Sequence, residues 1–208
     1  YEAGSVLIRT PEEPNLLDGY CFEDAFIRPR WTQKTAGEGD FTFEAIDQKR
    51  WETQIRDLRT CAERGLQAYA MIGPAGYVMK YFHPGQPNRD NLERYAWASF
   101  LLTVTKERTT FFGMPLSVTQ VGNAYGINPL KPYYFYPIGD PLENLELNQY
   151  RIDNQPVWMR RFENGIAIVS RSEQTEVIEL PADYRNPETG KMVTSVRLGA
   201  WDGIVLTK

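Results

Sequence analysis

Three patterns of apolar and polar positions succeed one another along the chain, and each predicts its own kind of element. The first is a nearly continuous apolar run. Residues 16–26 (Leu-Leu-Asp-Gly-Tyr-Cys-Phe-Glu-Asp-Ala-Phe) lie between the turn residues Pro14-Asn15 and Pro29. An apolar run of this length bounded by turns predicts a strand packed on both faces, as in a parallel sheet. It carries two adjacent carboxylates, Glu23 and Asp24, towards its end. Side chains alternate along a strand, so Gly19, Cys21 and Glu23 share one face while Tyr20, Phe22 and Asp24 share the other. Only one of the two acids can then face a common site.

The second pattern has the helical period. Within residues 43–64 the apolar positions Ile46, Trp51, Ile55, Leu58 and Ala62 recur three to five residues apart, with charges between them. Gly65 is the expected stop. Residues 66–72 (Leu-Gln-Ala-Tyr-Ala-Met-Ile) read as the next strand, ended by Gly73-Pro74-Ala75-Gly76. Asp90 is the expected N-cap of a second helix over residues 91–103, with Glu93 three residues on as in a capping box. Short β-branched or aromatic runs at residues 5–10 and 109–114 read as two more strands. Strand, helix and strand in succession predict a parallel α/β sheet. Between the acid-bearing strand and the first helix, residues 33–40 follow Arg28, Pro29, Arg30 and Trp31 and read as a long polar loop, a place where function often sits.

From about residue 120 aromatics, Pro and Asn dominate, as in Pro132-Tyr133-Tyr134-Phe135-Tyr136-Pro137, which predicts irregular chain and packing. The third pattern, short β runs separated by turns, begins at Pro156. Residues 157–162 and 166–170 flank Asn164-Gly165, a hairpin signal that predicts positive φ at one or both turn residues. Residues 175–180, 191–198 and 203–206 continue the series, with a turn at residues 186–190. The expected organisation is an α/β part over residues 1–118, an irregular aromatic segment over 119–150, and an antiparallel β domain over 151–208.

Composition narrows the function classes. With 208 residues and 42% hydrophobic content the chain can form one large or two modest cores. Net charge is -4 and the 23 basic residues form no dense run, so neither nucleic acid nor an anionic membrane is an expected partner. No stretch approaches the roughly 20 apolar residues of a membrane span. Cys21 falls in the first long strand and Cys61 on the first helix, where both read as thiols rather than a disulfide. With one histidine, His83, and no cysteine pair at ligand spacing, no metal site and no cofactor is expected. The first residue is Tyr1 rather than Met, which suggests a processed or trimmed chain.

Several motifs resemble a known family. Asp18-Gly19-Tyr20-Cys21-Phe22-Glu23 is similar to the Asp-Gly-x-x-x-acid strand of glycoside hydrolases with (β/α)8 barrels. Trp158-Met159-Arg160-Arg161-Phe162-Glu163-Asn164-Gly165 resembles the Arg-x-Phe-x-Asn-Gly hairpin of the β domain that follows such barrels. Leu180-Pro181-Ala182-Asp183-Tyr184, the Thr189-Gly190 turn and the closing Gly203-Ile204-Val205-Leu206 agree with it. The resemblance implies half of a TIM-type (β/α) barrel followed by a small antiparallel β domain, since only four barrel strands can be found where a full barrel needs about 200 to 250 residues. The rest of the barrel, or a second chain, is then the expected partner for the open edges. An extracellular or cell-surface location goes with this resemblance.

Glu23 is the leading catalytic candidate and Asp24 the alternative, because glycoside hydrolysis uses one carboxyl to protonate the leaving oxygen and a second as nucleophile or base. The resemblance places the second acid on an earlier strand that this sequence does not include. The competing reading pairs Glu23 and Asp24 with Arg28 or Arg30. For binding an oligo- or polysaccharide, Trp31, Arg28, Tyr77 and His83 are the candidates. Trp31 follows the acid-bearing strand directly and offers an aromatic platform to the C–H bonds of a pyranose. Tyr81 and Trp97 could do the same, although Trp97 on its helix reads as core. A non-catalytic carbohydrate-binding, structural or interaction protein on a barrel-derived scaffold is the competing function.

Overall fold

A computed structural model describes residues 19–22, 25–35, 38–71, 89–107, 110–113, 118–121, 124–127, 131–153 and 155–208. The fold is mixed α/β, and the chain divides into two compact units: residues 1–82 with 103–127, and residues 83–102 with 128–208.

The first unit is built on three parallel strands, β1 (Gly19–Phe22), β4 (Gln67–Met71) and β5 (Thr110–Gly113), with β4 in the centre. Tyr20, Ala68 and Thr110 stand in one row across the sheet, and Cys21, Tyr69 and Phe111 in the next. Helix α1 (Gln48–Glu63) packs on β1, β4 and β5. Its apolar stripe is the one the sequence predicts, with Trp51, Ile55, Leu58 and Ala62 all buried. It starts five residues later than expected, because Phe41–Ala45 are drawn into a strand and the Asp47 carboxylate then caps the helix by accepting the Arg50 N–H at 2.9 Å. Gly65 ends it at φ 68°, the left-handed turn in which glycine carries no Cβ penalty.

The polar stretch expected as a loop is instead a hairpin of β2 (Ile27–Thr35) and β3 (Glu38–Ala45). Pro29 is tolerated because a two-stranded ribbon leaves one edge of each strand without a ladder. A second hairpin, β6 (Val118–Val121) with β7 (Ala124–Ile127), lies where irregular chain was expected to begin.

The second unit is a five-stranded antiparallel sheet formed by β8 (Val157–Phe162), β9 (Gly165–Ser170), β10 (Glu176–Arg185), β11 (Met192–Leu198) and β12 (Asp202–Thr207). Their spatial order is β11-β10-β12-β9-β8. Val157, Ile166, Ile168, Ile178, Tyr184, Val196, Leu198 and Leu206 form a core cluster, and β9 is buried along its whole length. Helix α2 (Arg89–Leu101) lies between β4 and β5 in sequence but packs on β12 and β9. Asp90, expected as its N-cap, falls inside the helix. Gly203 allows the close approach, since a Cβ there would sit 2.6 Å from both the Arg94 carbonyl oxygen and the Ala98 Cβ.

The Asn-Gly hairpin is present, with a different turn from the one expected. Phe162 pairs with Gly165, so the loop is Glu163-Asn164 and Gly165 already belongs to β9. Neither Asn164 nor Gly165 has positive φ. A two-residue loop ordinarily needs a primed turn to match strand twist. Here bonds from outside the hairpin hold it: Glu163 N–H donates to the Asp140 carbonyl at 3.0 Å, Asn164 N–H to Ile138 at 2.8 Å, and Lys208 N–H to Asn164 at 2.9 Å. Gly165 is required for space, because a Cβ would strike the Leu206 carbonyl oxygen and approach Ile138 Cγ2 to 2.8 Å.

Candidate functional site

In sequence the candidate acids lie between Phe22, the last residue of β1, and Ala25, which are both buried. Glu23 and Asp24 themselves lie outside the described residues, as do Tyr77, Tyr81 and His83. The chain that follows Asp24 is anchored. Ala25 N–H donates to the Met71 carbonyl at the end of β4 at 2.8 Å, and Phe26 N–H donates to the buried Gln54 Oε1 at 2.8 Å. Phe26 holds φ 65° there, a conformation costly for a bulky side chain and supported here by full burial.

Strand parity separates two environments. Phe22, Ala68, Ala70 and Thr110 are buried, whereas Cys21, Tyr69 and Phe111 are exposed. Tyr69 and Phe111 remain 44% and 43% exposed and stack with centroids 5.1 Å apart, planes inclined by 21°. The Cys21 thiol lies 3.3 Å from Met71 Sδ. The result is a flat apolar platform on the centre of the parallel sheet. Tyr20 has its phenol pKa raised by desolvation and, secondarily, by the Asp57 charge. Burial pushes the Cys61 thiol up to about 11.

Arg28 and Trp31 stand on β2 rather than in a loop. Arg28 sits opposite Glu44 in the hairpin and reaches its carboxylate with Nε at 2.8 Å and Nη2 at 2.7 Å. Its fork is thus engaged by a cross-strand partner, which lowers its value as a free anion or hydroxyl ligand. Trp31 pairs with Phe41 across the same hairpin.

The second unit holds polar groups that pattern reading missed. Arg94 on α2 donates through Nε and Nη2 to the two oxygens of Asp202, at 2.9 and 3.1 Å, and through Nη2 to Asn91 Oδ1 at 2.8 Å. Asp202 also accepts the N–H groups of Gly203 and Gly199, which fixes the corner between β11 and β12. Tyr134 O–H donates to Glu93 Oε1 at 2.9 Å, and burial followed by the Glu93 charge holds the phenol well above its ordinary range. Trp97 stacks on Phe100 and meets Tyr134 edge-on while remaining half-buried, so it stands at the margin of the core its helical position suggests. Arg94, Trp97, Tyr133, Tyr136, Glu188 and Ile204 border a shallow cleft.

The Arg-x-Phe-x-Asn-Gly motif resolves into structural contacts. Arg160 is fully buried; Nη1 donates to the Leu101 carbonyl at the end of α2 at 3.0 Å, and Nη2 to the Glu143 carbonyl at 3.1 Å. Its guanidinium lies over the rings of Tyr150 and Phe162, 5.3 and 5.7 Å from their centroids. Among the described residues no group of three or more His, Cys, Asp or Glu side chains could hold a metal ion, and no helix is long and apolar enough to cross a membrane. No family model, curated protein or solved structure matches the chain.

Proposed function

We propose that this chain is part of a glycoside hydrolase-like, carbohydrate-active protein in which the first unit is half of a (β/α)8 barrel and Glu23 acts as general acid. The observation that carries the reading is the parity of β1: Cys21 stands on the exposed side with the Tyr69 and Phe111 platform, while Phe22 is buried. Were the alternation to run on past Phe22, Glu23 would share the Cys21 side at the carboxyl end of a parallel strand, where barrel enzymes keep their chemistry. Glu23 would protonate the leaving glycosidic oxygen, and a carboxylate from the remainder of the barrel would serve as nucleophile or base. Asp24 would then turn outward. Trp31, Tyr77 and His83 remain candidates for holding an oligo- or polysaccharide; Arg28, committed to Glu44, is the weakest of the set. Among the described residues β1 and β5 are the outer strands of the parallel sheet, and an upstream barrel half or a second chain would suit them as partner. This reading places the protein outside the cell or on its surface.

The test is Glu23→Gln in the full-length protein, which keeps shape and removes the ionisable proton. Glycoside hydrolysis should fall by roughly 10²- to 10⁴-fold, the contribution of general acid catalysis. Undiminished turnover would remove Glu23 from the chemistry.

A second reading, a non-catalytic carbohydrate-binding or interaction protein on a barrel-derived scaffold, is favoured by one observation. Arg160, Phe162, Asn164 and Gly165 are all engaged in holding the β unit together, so the longest motif accounts for fold rather than reaction. Glycan binding by full-length protein without hydrolysis would select it.

A further inference from the structure

Asn164-Gly165 is the one Asn-Gly pair in the chain. In an unconstrained peptide such a pair is chemically labile, because glycine leaves the following backbone nitrogen unhindered. That nitrogen loses its proton and attacks the asparagine Cγ; an N–Cγ bond forms, the Cγ–NH2 bond breaks, and ammonia leaves with a proton. Water then opens the resulting succinimide to aspartate or isoaspartate. Ring closure requires rotation about the Asn164 Cα–C bond, which swings the Asn164 carbonyl and the Gly165 nitrogen together.

The fold opposes that rotation from three sides. Asn164 N–H is held by the Ile138 carbonyl at 2.8 Å, and its carbonyl accepts the Lys208 N–H at 2.9 Å. Gly165 is buried, paired with Phe162 on one side and Thr207 on the other, and wedged against Ile138 and the Leu206 carbonyl. The Asn164 side chain itself is exposed, so what protects the pair is the backbone and not exclusion of water. We propose that Asn164-Gly165 is a latent succinimide-forming site, held closed in the folded protein by the strap at residues 138–140 and by the backbone of Lys208. Opening of that strap exposes it to deamidation, so the modification records how often this corner of the β unit opens.

The experiment is peptide mapping by mass spectrometry of the full chain aged at mildly alkaline pH, folded and in denaturant. Deamidation of Asn164 should be at least about tenfold slower in the folded chain, since the reaction must wait for local opening. Two variants locate the guard. Gly139→Ala puts a Cβ 2.9 Å from Glu163 Cβ at a residue with φ 79°, which pushes the strap off the turn. A chain ending at Thr207 removes the bond to the Asn164 carbonyl without touching the core. Each variant that retains a native circular dichroism spectrum should deamidate several-fold faster than the parent while folded. Equal rates for folded and denatured parent would overturn the proposal. So would folded variants that deamidate no faster than the parent, since the strap and Lys208 would then not be what holds the site closed.

Discussion

Arg160 and Arg161 are neighbours on β8 with opposite fates. Arg161 points outward and pairs with the Glu143 carboxylate at 2.6 Å, a contact at the surface worth at most about 1 kcal/mol. Arg160 points inward and spends its donors on two main-chain carbonyls, one of them at the C-terminus of α2, where a cation also meets the negative end of the helix dipole. Truncating it to Ala strands those carbonyls and leaves a cavity beside Tyr150 and Phe162. Arg160→Ala should therefore cost about 3 kcal/mol, against less than about 1 kcal/mol for Arg161→Ala, read as the difference in urea midpoint. Strand alternation makes the inward position of one arginine legible in sequence. What a buried guanidinium bonds to is not, because Leu101 and Glu143 approach it only through the tertiary fold. Asn164-Gly165 teaches the same lesson: the hairpin is legible, but the turn geometry is set by Ile138, Asp140 and Lys208, from outside it.

At the level of elements, helix α1 and strands β1, β4 and β5 could be read from period and run length, but the strand expected to be packed on both faces buries Phe22 and leaves Cys21 exposed, so the apolar run advertised one covered face only. The β2–β3 hairpin could not be read this way. Arg-Pro-Arg-Trp-Thr-Gln-Lys-Thr shows no apolar alternation, and its pairing rests on main-chain bonds that any sequence can make. Helix α2 was legible as a helix but not in its partner, because its packing on β12 depends on a glycine and an ion pair more than a hundred residues away. The Arg94–Asp202 pair is the joint. Asp202 is buried and accepts two backbone N–H groups besides the guanidinium, so its loss unsettles helix and sheet corner together. Asp202→Ala should destabilise the protein by about 3 kcal/mol, the lower end for breaking a buried pair. Adding Arg94→Ala should cost less on that background than in the parent, since the two residues share one interaction. A double-mutant cycle by chemical denaturation measures the coupling, and strictly additive losses would show that the pair does not join α2 to the sheet.

For the molecule as a whole, the open question is what meets the parallel sheet on the side of Tyr69 and Phe111, and the two cysteines answer it. Cys21 stands in that row and is exposed; Cys61 is buried on α1 with its thiol pushed up to about 11 by burial. Thiolate is the reactive form, so near pH 8 Cys61 is shut off both by access and by protonation, while Cys21 is exposed. A thiol reagent should therefore label the folded chain once, at Cys21, and a second time only after denaturation. On the proposed reading a longer protein supplies the rest of a barrel, the same face becomes interior, and Cys21 should lose the reactivity it has in the chain by itself. Protection of Cys21 by an added partner would mark that partner as the cover of this face. Equal labelling of Cys21 with and without any such partner would show that nothing covers it, which counts against the proposed half-barrel and favours a binding scaffold with an open aromatic platform.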